Sequence, residues 1–261
     1  MLFGVKLLMK MVFKFILLCA TLFVSVSNVL AFDEKQNEQI TKIINAFKAQ
    51  DKALISTLIT FPLSRQTPVP AINTQQEFVN RFDEVFDQNL INQIANSDVE
   101  NDWQAMGWRG IMFLNGKLWL DGGKIRGINH QTAKQIHLKQ TIVEQQKLTL
   151  HESLRNYKQP ILQWETTKFR VRIDDLGQQK FRYASWRLDK SFSDKPDLVL
   201  LNGKRDFGGS GGNHYYSFIN GKYTYRCDVI VLGTSKSPAG RLSVIKDQQI
   251  LLTDDVVEVL K

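Results

Sequence analysis

Residues Lys168–Trp186 read KFRVRIDDLGQQKFRYASW. Phe169, Val171 and Ile173 alternate with Arg170, Arg172 and Asp174. A period of two belongs to a β-strand, whose successive side chains point to opposite faces. DLGQQ supplies turn residues and KFRYASW returns, so the segment predicts an antiparallel hairpin. In that pairing Arg170 and Arg172 share a face with Arg182 and Trp186, and the face is expected to meet solvent. Planar guanidinium forks suit carboxylates or phosphates, and an indole can stack on them, so these four are candidate binding residues. The bland alternative is a charged face that keeps the sheet soluble, with Asp174 neutralising part of it.

Toward the C-terminus the same texture continues. DLVLLNG (197–203), NHYYSFINGKYTYRCDVIVLG (213–233), GRLSVIK (240–246) and QQILLT (248–253) are short apolar or alternating runs separated by Asn-Gly and Lys-Asp turn signals. Regularly spaced short strands without helices predict an antiparallel sandwich or barrel. Within NHYYSFINGKYTYRCDVIV, Tyr223, Tyr225, Cys227 and Val229 share one strand face, which places the thiol on the apolar side as a small buried hydrophobe.

Toward the N-terminus the period changes. Ile40, Ile43, Ile44 and Phe47 fall on one helical stripe, and AQDKALISTLI suggests a break and a second short helix. FPLSRQTPVPAI (61–72) carries three prolines and interrupts regular structure. Thr74 and Glu77 have capping-box spacing for a further helix, along which Phe78, Phe82 and Phe86 repeat at four-residue intervals and Leu90, Ile91 and Ile94 continue the apolar face. After Trp103, Asn115-Gly116 and Asp121-Gly122-Gly123 mark two strand reversals in a meander. QTAKQIHLKQTIVEQQKLTLHESLRNY (131–157) is readable as helix or strand. The whole is an α+β chain with a domain boundary near RNYKQP, giving a domain over 32–157 and an antiparallel β domain over 158–261.

Residues 1–31 read as a secretory signal. Lys6, Lys10 and Lys14 precede the apolar run Phe15–Val26, and Val29 and Ala31 flank an expected cleavage after Ala31, so a periplasmic or secreted location is expected. Its removal takes three of the 34 basic residues and none of the 26 acids, leaving a net charge of +5. That mild surplus suits weak attraction to anionic envelope components, and the absence of a basic run argues against nucleic acid. No spanning segment is expected once it is gone. Cys227 is then the only cysteine, so no disulfide forms within the chain.

Asp206–Phe218, DFGGSGGNHYYSF, satisfies G-x-S-x-G around Ser210. A nucleophile elbow needs a helix after the serine, and the residues that follow read as strand. A phosphate loop needs Gly-Lys-Ser/Thr opening a helix, which is missing. The glycines predict a bend between strands, beside which Asn213, His214, Tyr215 and Tyr216 are placed to touch a ligand. His130, His137, His151 and His214 lack metal-ligand spacing, and no cofactor motif is present.

Two resemblances follow from these segments. Helices with a recurring Phe stripe ahead of a Gly-punctuated meander, over residues 37 to about 140, resemble the nuclear-transport-factor-2-like cone-shaped α+β fold. LQWETTKFRVRIDDLG, FRYASW and GGNHYYSFINGKYTY resemble a β module of uncharacterised exported bacterial proteins. The first resemblance implies a pocket in which Asp102, Arg109, Asp121 or His130 supply polar groups to an enzyme. SGGNHYYSFINGKYTY also resembles the Ser-Gly loop of periplasmic lysozyme inhibitors, although a basic inhibitor would be repelled by a basic enzyme. The leading expectation is an exported, non-enzymatic protein that binds an anionic envelope component or a protein partner.

Overall fold

The computed structural model describes residues 32–209 and 211–260, so the expected signal segment and Ser210 lie outside the described residues. Helix α1 (Glu34–Ala49) opens on a capping box between Asp33 and Gln36 and buries Ile40, Ile43, Ile44 and Phe47, the stripe read in the sequence. Helices α2 (Lys52–Thr57), α3 (Gln75–Asn80), α4 (Phe82–Val85), α5 (Gln88–Ala95) and α6 (Val99–Asp102) follow. The Phe-repeat segment therefore makes three short helices where a single one was expected. Asp87 causes the second break: its carboxylate accepts the Leu90 amide, which caps α5 and leaves Phe86 extended. Phe78, Phe82 and Phe86 are nonetheless all buried, and Phe47 meets Phe86 edge-on at 4.9 Å. They pack on a meander of β1 (Trp103–Ala105), β2 (Ile111–Phe113), β3 (Leu118–Asp121) and β4 (Lys124–Ile128), with both glycine turns where the sequence placed them.

Helix α7 (Ala133–Thr149) resolves the ambiguous segment as helix and leads into the second unit. There β5 (Gln159–Thr166), β6 (Phe169–Gly177), β7 (Lys180–Arg187), β8 (Leu198–Phe207), β9 (His214–Asn220), β10 (Tyr223–Val229), β11 (Gly240–Lys246) and β12 (Gln249–Val259) each pair antiparallel with their sequence neighbours. β12 then meets β5 and closes the ring, so the β domain is an eight-stranded up-and-down barrel. An eight-stranded ring is just wide enough for side chains to fill its interior. Leu162, Trp164, Val171, Ile173, Phe181, Tyr183, Tyr216, Phe218, Cys227 and Leu242 do so. Cys227 is fully buried there, and burial pushes its thiol well above the ordinary range.

Large rings fit because glycines face them. A Cβ on Gly203 would stand 2.1 Å from Phe218 Cε1, and one on Gly240 would stand 2.4 Å from Trp164 Cη2. Gly203→Ala is therefore expected to cost about 1–3 kcal/mol through overpacking. The loss should appear as a lower urea midpoint at unchanged slope, and Phe218→Leu in the same chain should recover part of it.

The outside of β6 and β7 corrects the opening expectation. Arg170, Arg172, Asp174, Arg182 and Trp186 do share a face, but the face is largely covered. Val143 of α7 and Leu150, Leu154 and Tyr157 beyond it pack with Ala184 and Trp186 as a second apolar layer outside the barrel. Trp186 is 0 % and Arg172 1 % exposed. Asp174 accepts from Arg172 Nε and from Arg182 Nη2, both at 2.7 Å. Arg172 Nη1 donates to Gln163 at 2.7 Å and its guanidinium lies 4.8 Å over the Tyr157 ring, while Arg182 donates to the carbonyls of Leu154 and Asn156. Burial pushes the Asp174 carboxyl up and the guanidiniums pull it down. With two cations at hydrogen-bond distance, the ionised form is the one this geometry holds. Arg170 is half-buried against Glu165 at 3.0 Å. Arg172 and Arg182 fasten the α7–β5 connection to the barrel wall.

Candidate functional site

A cleft of about 660 Å³ lies at one end of the barrel, between it and the proline-rich loop Ser64–Ala71 of the N-terminal unit. The loop is pinched at its base, where Leu63 and Ile72 exchange backbone hydrogen bonds at 2.8 and 3.0 Å. Arg65 holds it from behind: Nε donates to Gln135 at 2.9 Å and Nη1 to the Ile128 carbonyl at 3.1 Å. Burial, helped by the nearby Arg81 charge, lowers the Arg65 pKa to about 10. Its guanidinium is committed to α7 and the end of β4, so Arg65 shapes the cleft wall.

On the barrel side the lining is Ile161, Leu162, Trp164, Tyr216, Val229, Ala239 and Val259, with Gln159, Gln163 and His214 as the polar members, and Lys139 of α7 also lines the cleft. The opening exists because β12 pairs with β5 only along Thr166–Trp164, with a further backbone bond from Leu260 to Gln163. The first residues of β5 thus run beside the cleft without a ladder partner on that side. Gln163 already accepts from Arg172. Lys139 is half-buried, and among the described residues no acid stands within ion-pair distance of it. Burial first, then the Lys158 charge, lowers its pKa, and Asp175 opposes the shift. An unpaired ammonium on an apolar wall favours an anion as its neighbour.

Of the eight candidate binding residues, His214 and Tyr216 line this cleft. His214 Nδ1 contacts the Gly212 carbonyl at 2.8 Å, which makes Nδ1 the donor and leaves Nε2 as acceptor. Asn213 has a different job: Oδ1 accepts from the Val231 and Leu232 amides, both at 2.8 Å, and Nδ2 donates to the Leu232 carbonyl. It ties two end loops together. Tyr215 lies on the outer wall with the Arg226 guanidinium 3.9 Å over its ring. The glycine stretch joins β8 to β9, two antiparallel strands, and a turn leads directly into strand at His214. No helix follows Gly211, which removes the elbow geometry.

The enzyme residues expected from the cone do not converge. Asp121 pairs with Arg126 at 3.2 Å on the surface, His130 Nε2 meets Asp87 at 2.7 Å, Asp102 accepts the Asp98 amide, and Arg109 is exposed over Trp119. Of the meander tryptophans only Trp103 belongs to the core, while Trp108 is 71 % exposed. Among the described residues no cluster of His, Cys, Asp or Glu is placed to hold a metal ion, and no helix is long and apolar enough to cross a membrane.

Lys139, Gln159, Trp164 and the proline loop were not singled out in the sequence. The loop carried a signal in Pro68 and Pro70, which stiffen a wall; Lys139 carried none, being one lysine on a polar helix. Comparison with family models, with curated proteins and with solved structures finds no match to this chain.

Proposed function

We propose that this chain is an exported, non-enzymatic binding protein whose cleft takes an anionic ligand with an apolar body. The observation that carries the reading is Lys139, an unpaired and half-buried ammonium beside the apolar wall of Trp164, Tyr216 and Val229. An acid group against Lys139 would gain a charge-assisted bond where water is thinned, and the apolar body would cover the mouth of the barrel. His214 Nε2 and Gln159 stand ready to orient polar atoms. The N-terminal unit supplies one wall, and its order of helices then meander supports reading it as a nuclear-transport-factor-2-like unit with a filled core.

The test is calorimetric titration of the chain from Phe32 with dodecanoate and with dodecanol. Dodecanoate should bind and dodecanol bind at least about tenfold more weakly, the factor of one charge-assisted bond. Lys139→Met should erase that preference and Lys139→Arg should keep it. Because the Lys139 pKa is lowered, binding should fall off with rising pH earlier than an ordinary lysine would dictate. Equal affinities for acid and alcohol, or a Lys139→Met variant that binds as before, would remove the proposal.

A further inference from the structure

The strand ends remote from the cleft carry an apolar surface that none of the described residues covers. Ile219 is 72 %, Ile250 61 %, Leu201 55 % and Leu251 52 % exposed. The first two belong to one transverse row, since Ile219 pairs with Thr224, Thr224 with Ile245 and Ile245 with Ile250. Phe218 and Leu200 point into the barrel, so Ile219 and Leu201 point out by strand alternation. The register shift between Val244 and Ile245 leaves Leu251 without a partner across β11, beside Ile250 at the hairpin tip. Two neighbouring hairpins, β9–β10 and β11–β12, therefore present apolar tips on the same side.

The two tips themselves carry more basic than acidic charge. Lys222 sits in the β9–β10 turn and Lys246 lies over the Tyr223 ring at 5.4 Å, while Asp247 is the single acid there. We infer that this end of the barrel docks on a bilayer surface bearing anionic headgroups. Ile219, Ile250 and Leu251 enter the acyl boundary, Tyr223 sits at headgroup level, and Lys222 and Lys246 contact the phosphates. The charge pattern selects this occupant over a second copy. A two-fold pair of copies would set one pair of lysine-bearing tips against another of the same charge. The inference does not depend on the cleft, which opens at the other end of the same strands.

The chain from Phe32 is used, because it holds every residue of the described cores and omits the apolar run Phe15–Val26, which would bind lipid by itself. It should co-sediment with phosphatidylglycerol vesicles at least tenfold more tightly than with phosphatidylcholine vesicles. The double variant Ile219→Asp/Ile250→Asp should lose at least tenfold in that affinity. Lys222→Gln/Lys246→Gln should weaken it several-fold and flatten its salt dependence; both changes are at exposed positions, so this variant decides the matter if the aspartate variant unfolds. Equal sedimentation with both lipids or with neither overturns the inference. So does a dimer in sedimentation velocity that the aspartate variant dissolves, which would assign the surface to a second copy.

Discussion

Asp174→Ala is expected to remove about 3–5 kcal/mol of folding stability, the cost of leaving buried charge without its counter-ion. Arg172 and Arg182 both aim at this carboxylate from 2.7 Å, and each is almost fully buried. Arg172 Nη2 and Arg182 Nε have no acceptor among the described residues, so the cationic side of the cluster is already under-satisfied before the mutation. Urea unfolding followed by circular dichroism measures the loss. The triple replacement Arg172→Met/Asp174→Leu/Arg182→Met should cost less than Asp174→Ala alone, since it removes the desolvation burden along with the attraction. A triple variant less stable than the single would show that the ion cluster contributes more than it costs. The cluster also reaches the cleft through Gln163 and fixes the connection behind α7, so Asp174→Ala should weaken dodecanoate binding at temperatures where the barrel remains folded.

The second large effect belongs to Trp186. Its indole is 0 % exposed outside the barrel wall, meets Phe192 edge-on at 5.0 Å, and donates from Nε1 to the Asp194 carbonyl at 2.8 Å. Trp186→Ala should cost about 3–5 kcal/mol, as large-to-small changes in a closed apolar layer do. Trp186→Phe keeps most of the buried ring and loses the hydrogen bond, and about 1–2 kcal/mol is expected. If alanine cost no more than phenylalanine, the layer formed with Leu150, Leu154 and Tyr157 would be a loose covering and the α7 connection would not depend on it.

The contrast between these two residues and their sequence reading shows where pattern stops informing. Alternation in KFRVRID and KFRYASW placed Arg170, Arg172, Arg182 and Trp186 on one face, because side-chain direction along a strand is a local property. Whether that face meets water depends on another part of the chain. The cover comes from α7 and the residues after it, and α7 buries only Gln135 and Val143, so its sparse apolar residues left the segment open between helix and strand. The same holds at the cleft. Its lining is gathered from residues 64–71, 139, 159–164, 214, 216, 229, 239 and 259–260, and they meet only because β12 closes on β5. Turns were legible, since Asn-Gly and Asp-Gly-Gly answer to backbone dihedrals alone. The three-way break of the Phe segment was missed because Asp87 competes with its own helix for an amide, and four-residue spacing conceals that competition.

The closing pair of strands has one more consequence. Thr167, at the turn after β5, hydrogen-bonds Asp254 of β12, 87 positions later. Until the last strand has been synthesised, the preceding seven can form at best an open sheet with two raw edges, the arrangement most prone to pair with other molecules. The order in which the ribosome releases this chain thus leaves its stickiest intermediate for the end. A segment that closes slowly, because loop closure over such a span is entropically expensive, sets how long that hazard lasts.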